Sequence, residues 1–230
     1  GRIARRDPAL PRPCGLGRSP VSMSERPLMV GVDFDNTLVS YERVLERVAV
    51  ERGLIEAGAW RGKRAMRDAI RRRPDGEREW QRLQAEIYGP RIQEAELIAG
   101  VDAFFARARQ ARVGVAVVSH KTARAAEDQT GTDLHEAALG WMRRRGFFEA
   151  TGFGLGREAV YFEPTRQAKL ARIQQLGCTH FIDDLEETFQ EPAFPPAVER
   201  ILYAPHEGSA PRGVRLATTW EQVAGYVFGR

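Results

Sequence analysis

The 230-residue sequence is poor in cysteine, lysine and long apolar runs. Only Cys14 and Cys178 are present. One stands in an Arg/Pro-rich N-terminal stretch and the other at a helix-to-strand connection. Neither a disulfide framework nor a thiolate zinc site can be built from them, and a reducing, cytoplasmic setting is expected. No run of about 18 apolar residues is available to cross a bilayer, which excludes a spanning segment and gives no reason to expect a membrane partner. Lysine occurs three times, at Lys63, Lys121 and Lys169, and arginine supplies the rest of the 35 basic residues. Arginine clusters therefore carry less functional weight here than they usually would.

The formal charge of +4 is local. Residues 1–22 carry Arg2, Arg5, Arg6, Arg12 and Arg18 against Asp7, so the remaining chain is electrically balanced. A neutral body argues against a nucleic-acid partner, for which a basic surface is the electrostatic footprint. The same stretch holds Pro8, Pro11, Pro13 and Pro20 and no apolar periodicity. It is expected to be disordered or a leader outside the folded body, with a DNA-binding arm as the less favoured alternative.

Leu28 to Phe34 is apolar without alternation apart from Asp33, the pattern of a strand buried on both faces of a parallel sheet. Val113–Val118, Ala159–Phe162 and His180–Ile182 repeat it, and Ile201–Tyr203 and Val214–Ala217 are later candidates. Helical patterns separate most of them: Val101–Ala111, Asp133–Arg145, Thr165–Leu176 and a closing helix capped by Thr219. The alternation predicts an α/β fold with a doubly wound, Rossmann-like parallel sheet. Between the first two strands lie further helical patterns, at Tyr41–Ala57, Ala59–Arg73, Gly76–Tyr88 and Pro90–Ala99. That is too much for one crossover. The expected division is a core of residues 23–40 and 99–230 with a small α-helical cap at 41–98.

Ligands of such sheets sit outside the carboxyl ends of the strands, so those ends are where chemistry is sought. The first ends in Asp33-Phe34-Asp35-Asn36-Thr37, which points two carboxylates to one side. The second ends in Ser119-His120-Lys121-Thr122 and the fourth in Asp183-Asp184, while the helix after the third carries Lys169. A nucleophile, a proton shuttle, oxygen ligands for a hard cation and donors for phosphoryl oxygens are all present. Oxygen ligands from Asp33, Asp35, Asp183 and Asp184 favour Mg²⁺.

These motifs resemble those of the haloacid dehalogenase (HAD) superfamily. DxDxT matches Asp33 to Thr37, an apolar strand ending in Ser matches Val117-Val118-Ser119, a lone Lys matches Lys169, and an acidic pair matches Ile182-Asp183-Asp184. The resemblance runs from about Leu28 to Tyr203. It implies that Asp33 attacks phosphorus to give an aspartyl-phosphate and that Asp35 is the acid/base. It further implies that Ser119 binds a phosphoryl oxygen and that Lys169 neutralises charge. Mg²⁺ would be held by Asp33, the Asp35 carbonyl and the acidic pair. Relatives acting on halides or phosphonates lack an acid at the position of Asp35, so its presence points to phosphate esters. The helical insertion resembles the caps that cover small phosphorylated metabolites.

Each residue also has a bland reading. Lys169 is favoured over Lys121 as the catalytic lysine because it lies early in the helix after a strand, as in the resembled superfamily, leaving Lys121 as a phosphate contact. Of the scattered histidines only His120 is near the chemistry, as a phosphate-binding candidate. Arg61, Lys63, Arg64, Arg67, Arg71, Arg72 and Arg73 read as a solvated helix face. Gly152, Gly154 and Gly156 read as a flexible loop, since they neither follow a clear strand nor open a clear helix. The expected activity is Mg²⁺-dependent hydrolysis of a small phosphorylated metabolite by a monomer or homodimer. Phosphoryl transfer to a second metabolite is an open alternative. A non-catalytic binding module and a nucleic-acid end phosphatase are disfavoured.

Overall fold

The structure, a computed structural model, describes residues 27–59, 62–128 and 130–229. The expectations for residues 1–22, Cys14 and Arg61 lie outside them.

Six strands form one parallel sheet: β1 (Met29–Val32), β4 (Gly114–His120), β5 (Val160–Glu163), β6 (His180–Asp183), β7 (Glu199–Tyr203) and β8 (Arg215–Ala217). Their order is β5-β4-β1-β6-β7-β8. From β1 the chain builds outward to β4 and β5, then returns to add β6, β7 and β8 on the other side. The order therefore reverses beside β1, between β4 and β6, where such sheets open a crevice. Val32 pairs with Val117 on one side and Ile182 on the other, which brings the three motif-bearing strand ends together.

Both sheet faces are covered, which explains the unbroken apolar runs. On one face Val30, Val32, Val117, Ile182 and Ile201 pack under α4 (Val101–Gln110), α5 (Leu134–Arg144) and α8 (Trp220–Phe228). On the other, Ala116, Val118, Phe181 and Leu202 pack under α6 (Arg166–Gln175) and α7 (Glu186–Gln190). Three helices begin at side-chain caps. Asp133 accepts from His135 N and Glu136 N, Thr165 from Ala168 N, and Thr219 from Gln222 N, so each satisfies amides left open in a first turn.

Between β1 and α4 lie β2 (Val39–Ser40), α1 (Glu42–Glu51), α2 (Gly62–Arg71), α3 (Gly76–Tyr88) and β3 (Glu96–Leu97). The predicted helix at Pro90–Ala99 is absent. A short 3₁₀ turn at Ile92–Glu94 leads instead into β3, which pairs antiparallel with β2, Val39 opposite Leu97. This small ribbon joins the start of the helical insertion to its end. Trp141 Nε1 donates to the buried Ala95 carbonyl at 3.0 Å and Trp220 Nε1 to the Thr37 carbonyl at 3.1 Å. The core thus anchors both ends of the insertion. Gly152 to Gly156 is irregular, with Gly154 at φ +67°, and leads into a 3₁₀ turn rather than opening an α-helix.

Candidate active site

Beyond Val32 the chain turns sharply. The Phe34 carbonyl accepts from the amides of Thr37, Leu38 and Val39, and Asn36 takes a left-handed conformation at φ +58°. Phe34 is fully buried against Trp141 and Phe162, with ring centroids 5.7 and 6.0 Å away. Its burial fixes the flanking Asp33 and Asp35 at the crevice.

Asp33 is buried, and its Oδ1 accepts from Lys169 Nζ at 2.6 Å. The same ammonium donates to Asp183 Oδ2, also at 2.6 Å, while Asp183 Oδ1 accepts from the Leu185 amide at 2.9 Å. Carboxylate oxygens of Asp33, Asp183 and Asp184 lie within 4.8 Å of one another. Burial pushes the Asp33 carboxyl up to about 7 although Lys169 opposes it. Burial and the neighbouring Asp183 push Asp184 up as well. Lys169 bonds two of the three carboxylates and Lys63 acts on Asp184 only through its charge, so negative charge in the cluster is left without a bonded cation. An all-oxygen cluster with that deficit suits a hard divalent cation, so these residues fit such an ion.

Asp35 has a different environment. Lys121 Nζ donates to its Oδ1 at 3.1 Å and its Oδ2 at 2.9 Å, and the Tyr41 hydroxyl donates to Oδ1 at 2.6 Å. Burial raises its pKa, but the Lys121 charge and the bonds from Tyr41 and Lys121 outweigh it, and the carboxyl is held below its usual range. Tyr41 is correspondingly raised, by burial first and then by the adjacent Asp35. Two aspartates two residues apart are thus driven in opposite directions, the pattern of groups with different roles.

The structure gathers Asp33, Asp35, Lys169, Asp183 and Asp184. Ser119, buried at the end of β4, lies two residues past Val117 and so stands beside the same turn. His120 is not gathered. It is exposed and makes no hydrogen bond to the site residues among the described ones. Along an extended segment side chains alternate, so Ser119 and Lys121 turn inward and His120 outward. The Lys121 amide continues the pairing by donating to the Glu163 carbonyl at 3.0 Å. Lys121 contacts Asp35 directly, a role different from the phosphate contact considered for it.

Four further residues escaped the sequence reading. Tyr41 holds Asp35. His135 Nε2 donates to the Lys121 carbonyl at 2.8 Å and holds that segment in place. Tyr88, closing α3, packs on Tyr41 at 4.5 Å between ring centroids. Lys63 departs from the solvated-face expectation for its cluster: its ammonium lies 5.5 Å from the Tyr88 ring centre. Tyr88, Asp184 and Asp35 raise its pKa against the opposing effect of burial. Its neighbours behave as expected, Arg64 pairing with Glu207, Arg67 with Asp68 and Arg71 with Glu77. The usable signal was the rarity of lysine, since all three lysines of the chain meet here.

No family model and no curated protein matches the sequence. Solved structures do. A HAD family hydrolase from Deinococcus radiodurans R1, with bound phosphate and sodium, matches with a TM-score of 0.53 at 17% identity, over 90% of this chain and 100% of that one. A HAD-superfamily hydrolase, subfamily IA, variant 1, from Geobacter sulfurreducens PCA matches with a TM-score of 0.52 at 13% identity, over 89% and 99%. A dehalogenase gives 0.52 at 12% identity, over 90% and 99%. The fold of this chain is that of the haloacid dehalogenase superfamily hydrolases. Among the described residues no helix is long and apolar enough to cross a membrane.

Proposed function

We propose that the chain is a phosphohydrolase that cleaves a small phosphate monoester through an aspartyl-phosphate on Asp33. The observation that carries this reading is the opposed environment of Asp33 and Asp35. A halide leaves without a proton, whereas an alkoxide leaving group needs one, and Asp35 sits in a built proton-donor environment of Lys121 and Tyr41.

In the first step an Asp33 carboxylate oxygen attacks phosphorus, and the bond to the ester oxygen breaks as that oxygen takes a proton through Asp35. The proton source bonded to it is the Lys121 ammonium, while the Tyr41 hydroxyl, with its pKa raised, holds the carboxylate in place. In the second step Asp35, held ionised, takes a proton from water as the water attacks the aspartyl-phosphate and passes it back to the group that supplied the first. Inorganic phosphate leaves and Asp33 is regenerated. Lys169 balances charge between Asp33 and the phosphoryl group, and Ser119 donates to a phosphoryl oxygen. Asp33, Asp183, Asp184 and the Asp35 carbonyl would hold Mg²⁺, which supplies electrostatic stabilisation of the phosphoryl oxygens when bound. The helical insertion acts as a cap. Its Tyr41, Lys63 and Tyr88 reach the strand ends and would screen the site from bulk water.

The test is phosphate release from a panel of sugar phosphates, nucleotides and an aryl phosphate, with and without Mg²⁺. Turnover should require the ion and disappear in Asp33→Asn. Label moving mainly into a second ester would favour phosphoryl transfer, and absence of turnover on every ester would overturn the reading.

A further inference from the structure

Two of the three lysines have carboxylate partners. Lys169 is held by Asp33 and Asp183, and Lys121 by Asp35. Lys63, in the first turn of α2, has no ion-pair partner among the described residues, although it is only part-exposed and the arginines around it pair with surface acids. A long cationic side chain normally carries its head to water. This one instead lies over the Tyr88 ring, and the Lys121 ammonium lies 5.2 Å from the centre of the same ring. Tyr88 packs on Tyr41, which bonds Asp35.

Two ammonium groups thus lie close to one phenol, which packs on the tyrosine that bonds Asp35. Under the phosphohydrolase reading, on which this assignment depends, Asp35 serves the departing ester oxygen, so the cluster lines the leaving-group side. Its character is one-sided. A polyhydroxylated neutral group is recognised by acceptors as well as donors, whereas lysine offers donors only. Asp184 and Asp35 act on Lys63 through their charge but form no ion pair with it: Asp35 is bonded to Lys121 and Tyr41, and Asp184 stands in the carboxylate cluster. What remains at Lys63 is positive charge.

We propose that Lys63, Tyr88 and the adjoining face of Lys121 form a second anion subsite. The substrate is then a phosphate monoester whose leaving group carries its own anionic group, a carboxylate or a second phosphate. If Lys63 served only to brace α2 on Tyr88, it would not discriminate between esters.

The test uses matched pairs: 3-phosphoglycerate against glycerol 3-phosphate for a carboxylate, and fructose 1,6-bisphosphate against fructose 1-phosphate for a phosphate. Turnover by the full chain with Mg²⁺ and calorimetric binding to Asp33→Asn are read separately. The member with the second anion should be preferred by about tenfold or more in at least one pair, the worth of one charge-assisted hydrogen bond. The preference should fall to about unity in Lys63→Met and survive in Lys63→Arg, each placed in both backgrounds and checked for folding by circular dichroism. The pair that responds identifies the anion. Turnover or binding without preference in either pair, or a preference that survives Lys63→Met, overturns the subsite. A Lys63-dependent binding preference with no turnover would uphold the subsite and overturn the phosphohydrolase reading.

Discussion

Lys121 grips both carboxylate oxygens of Asp35, at 2.9 and 3.1 Å, from a position just past the end of the neighbouring strand. The first prediction rests on this contact. Lys121→Met removes the main charge that depresses the Asp35 carboxyl, leaving Tyr41, the weaker effect of Lys63 and burial. kcat should fall about 10- to 100-fold with less change in KM, a part of what proton transfer contributes. The Asp35 pKa should rise, moving the acid limb of the pH profile to higher pH. The linkage has the same sign. A depressed carboxyl contributes stability above its unfolded pKa, and this is lost as pH falls through its folded pKa. The stability gap between wild type and Lys121→Met should therefore be full at neutral pH and shrink in acid. An unmoved acid limb would count against Asp35 as the titrating group.

The second concerns the carboxylate cluster. Asp33, Asp183 and Asp184 cluster in the sheet's crevice with one ammonium bonded to the first two, so a divalent cation that binds only the folded chain should stabilise it. At 100 times its dissociation constant the gain is about 2.7 kcal/mol, read as a rise in melting temperature when Mg²⁺ replaces EDTA. Asp184→Asn should reduce that rise sharply. Lys169→Met should lower the stability of the metal-free protein by about 3–5 kcal/mol, because it leaves two buried carboxylates uncompensated. An equal melting temperature with Mg²⁺ and with EDTA would refute the cation site.

Why these residues could be read from sequence, and others could not, comes down to the range of the forces involved. β1 was legible because burial on both faces demands an unbroken apolar run, and Asp33 and Asp35 stood out as charges immediately behind it. Lys169 was singled out by its place in a helix following a strand, as in the resembled superfamily, and the structure sets it between Asp33 and Asp183. The segment 90–99 was misread because its apolar residues satisfy two requirements at once. Ile92 and Ala95 are buried in the core, while Glu96 and Leu97 pair with β2, more than fifty residues earlier in the chain. No local pattern carries that pairing. Tyr41, Lys63 and Tyr88 look like any amphipathic helix residues until the insertion is placed over the crevice. His120 appeared close to the chemistry by sequence, yet alternation along β4 turns it outward and gives the inner position to Lys121.

Cys178 provides the third prediction. It is buried behind β1, and burial pushes its thiol up to about 11. At pH 8 roughly one molecule in a thousand would carry the reactive thiolate, even before access is considered. Iodoacetamide should leave the Cys178 peptide unmodified in the native protein and alkylate it fully in denaturant, as read by mass spectrometry. Prompt native labelling would mean that the core around β6 opens readily.

The last concerns Gly31, in the middle of the central strand. A Cβ there would stand 2.6 and 2.9 Å from two ring carbons of Phe181 and 3.0 Å from Cys178 Sγ. Phe181 is fully buried on the adjacent strand, so its ring has no solvent to retreat into. Gly31→Ala gains about 0.5–1 kcal/mol from a less flexible unfolded chain. Overpacking opposes it by about 1–3 kcal/mol, and the crowding should win. Because Asp33 lies two residues further on, the strain should reach the nucleophile and lower kcat/KM as well as the urea midpoint. Phe181→Leu should be destabilising alone but should relieve Gly31→Ala, so the double variant loses less than the two single losses combined. Strict additivity in that cycle would show that the ring is not what excludes a side chain at position 31.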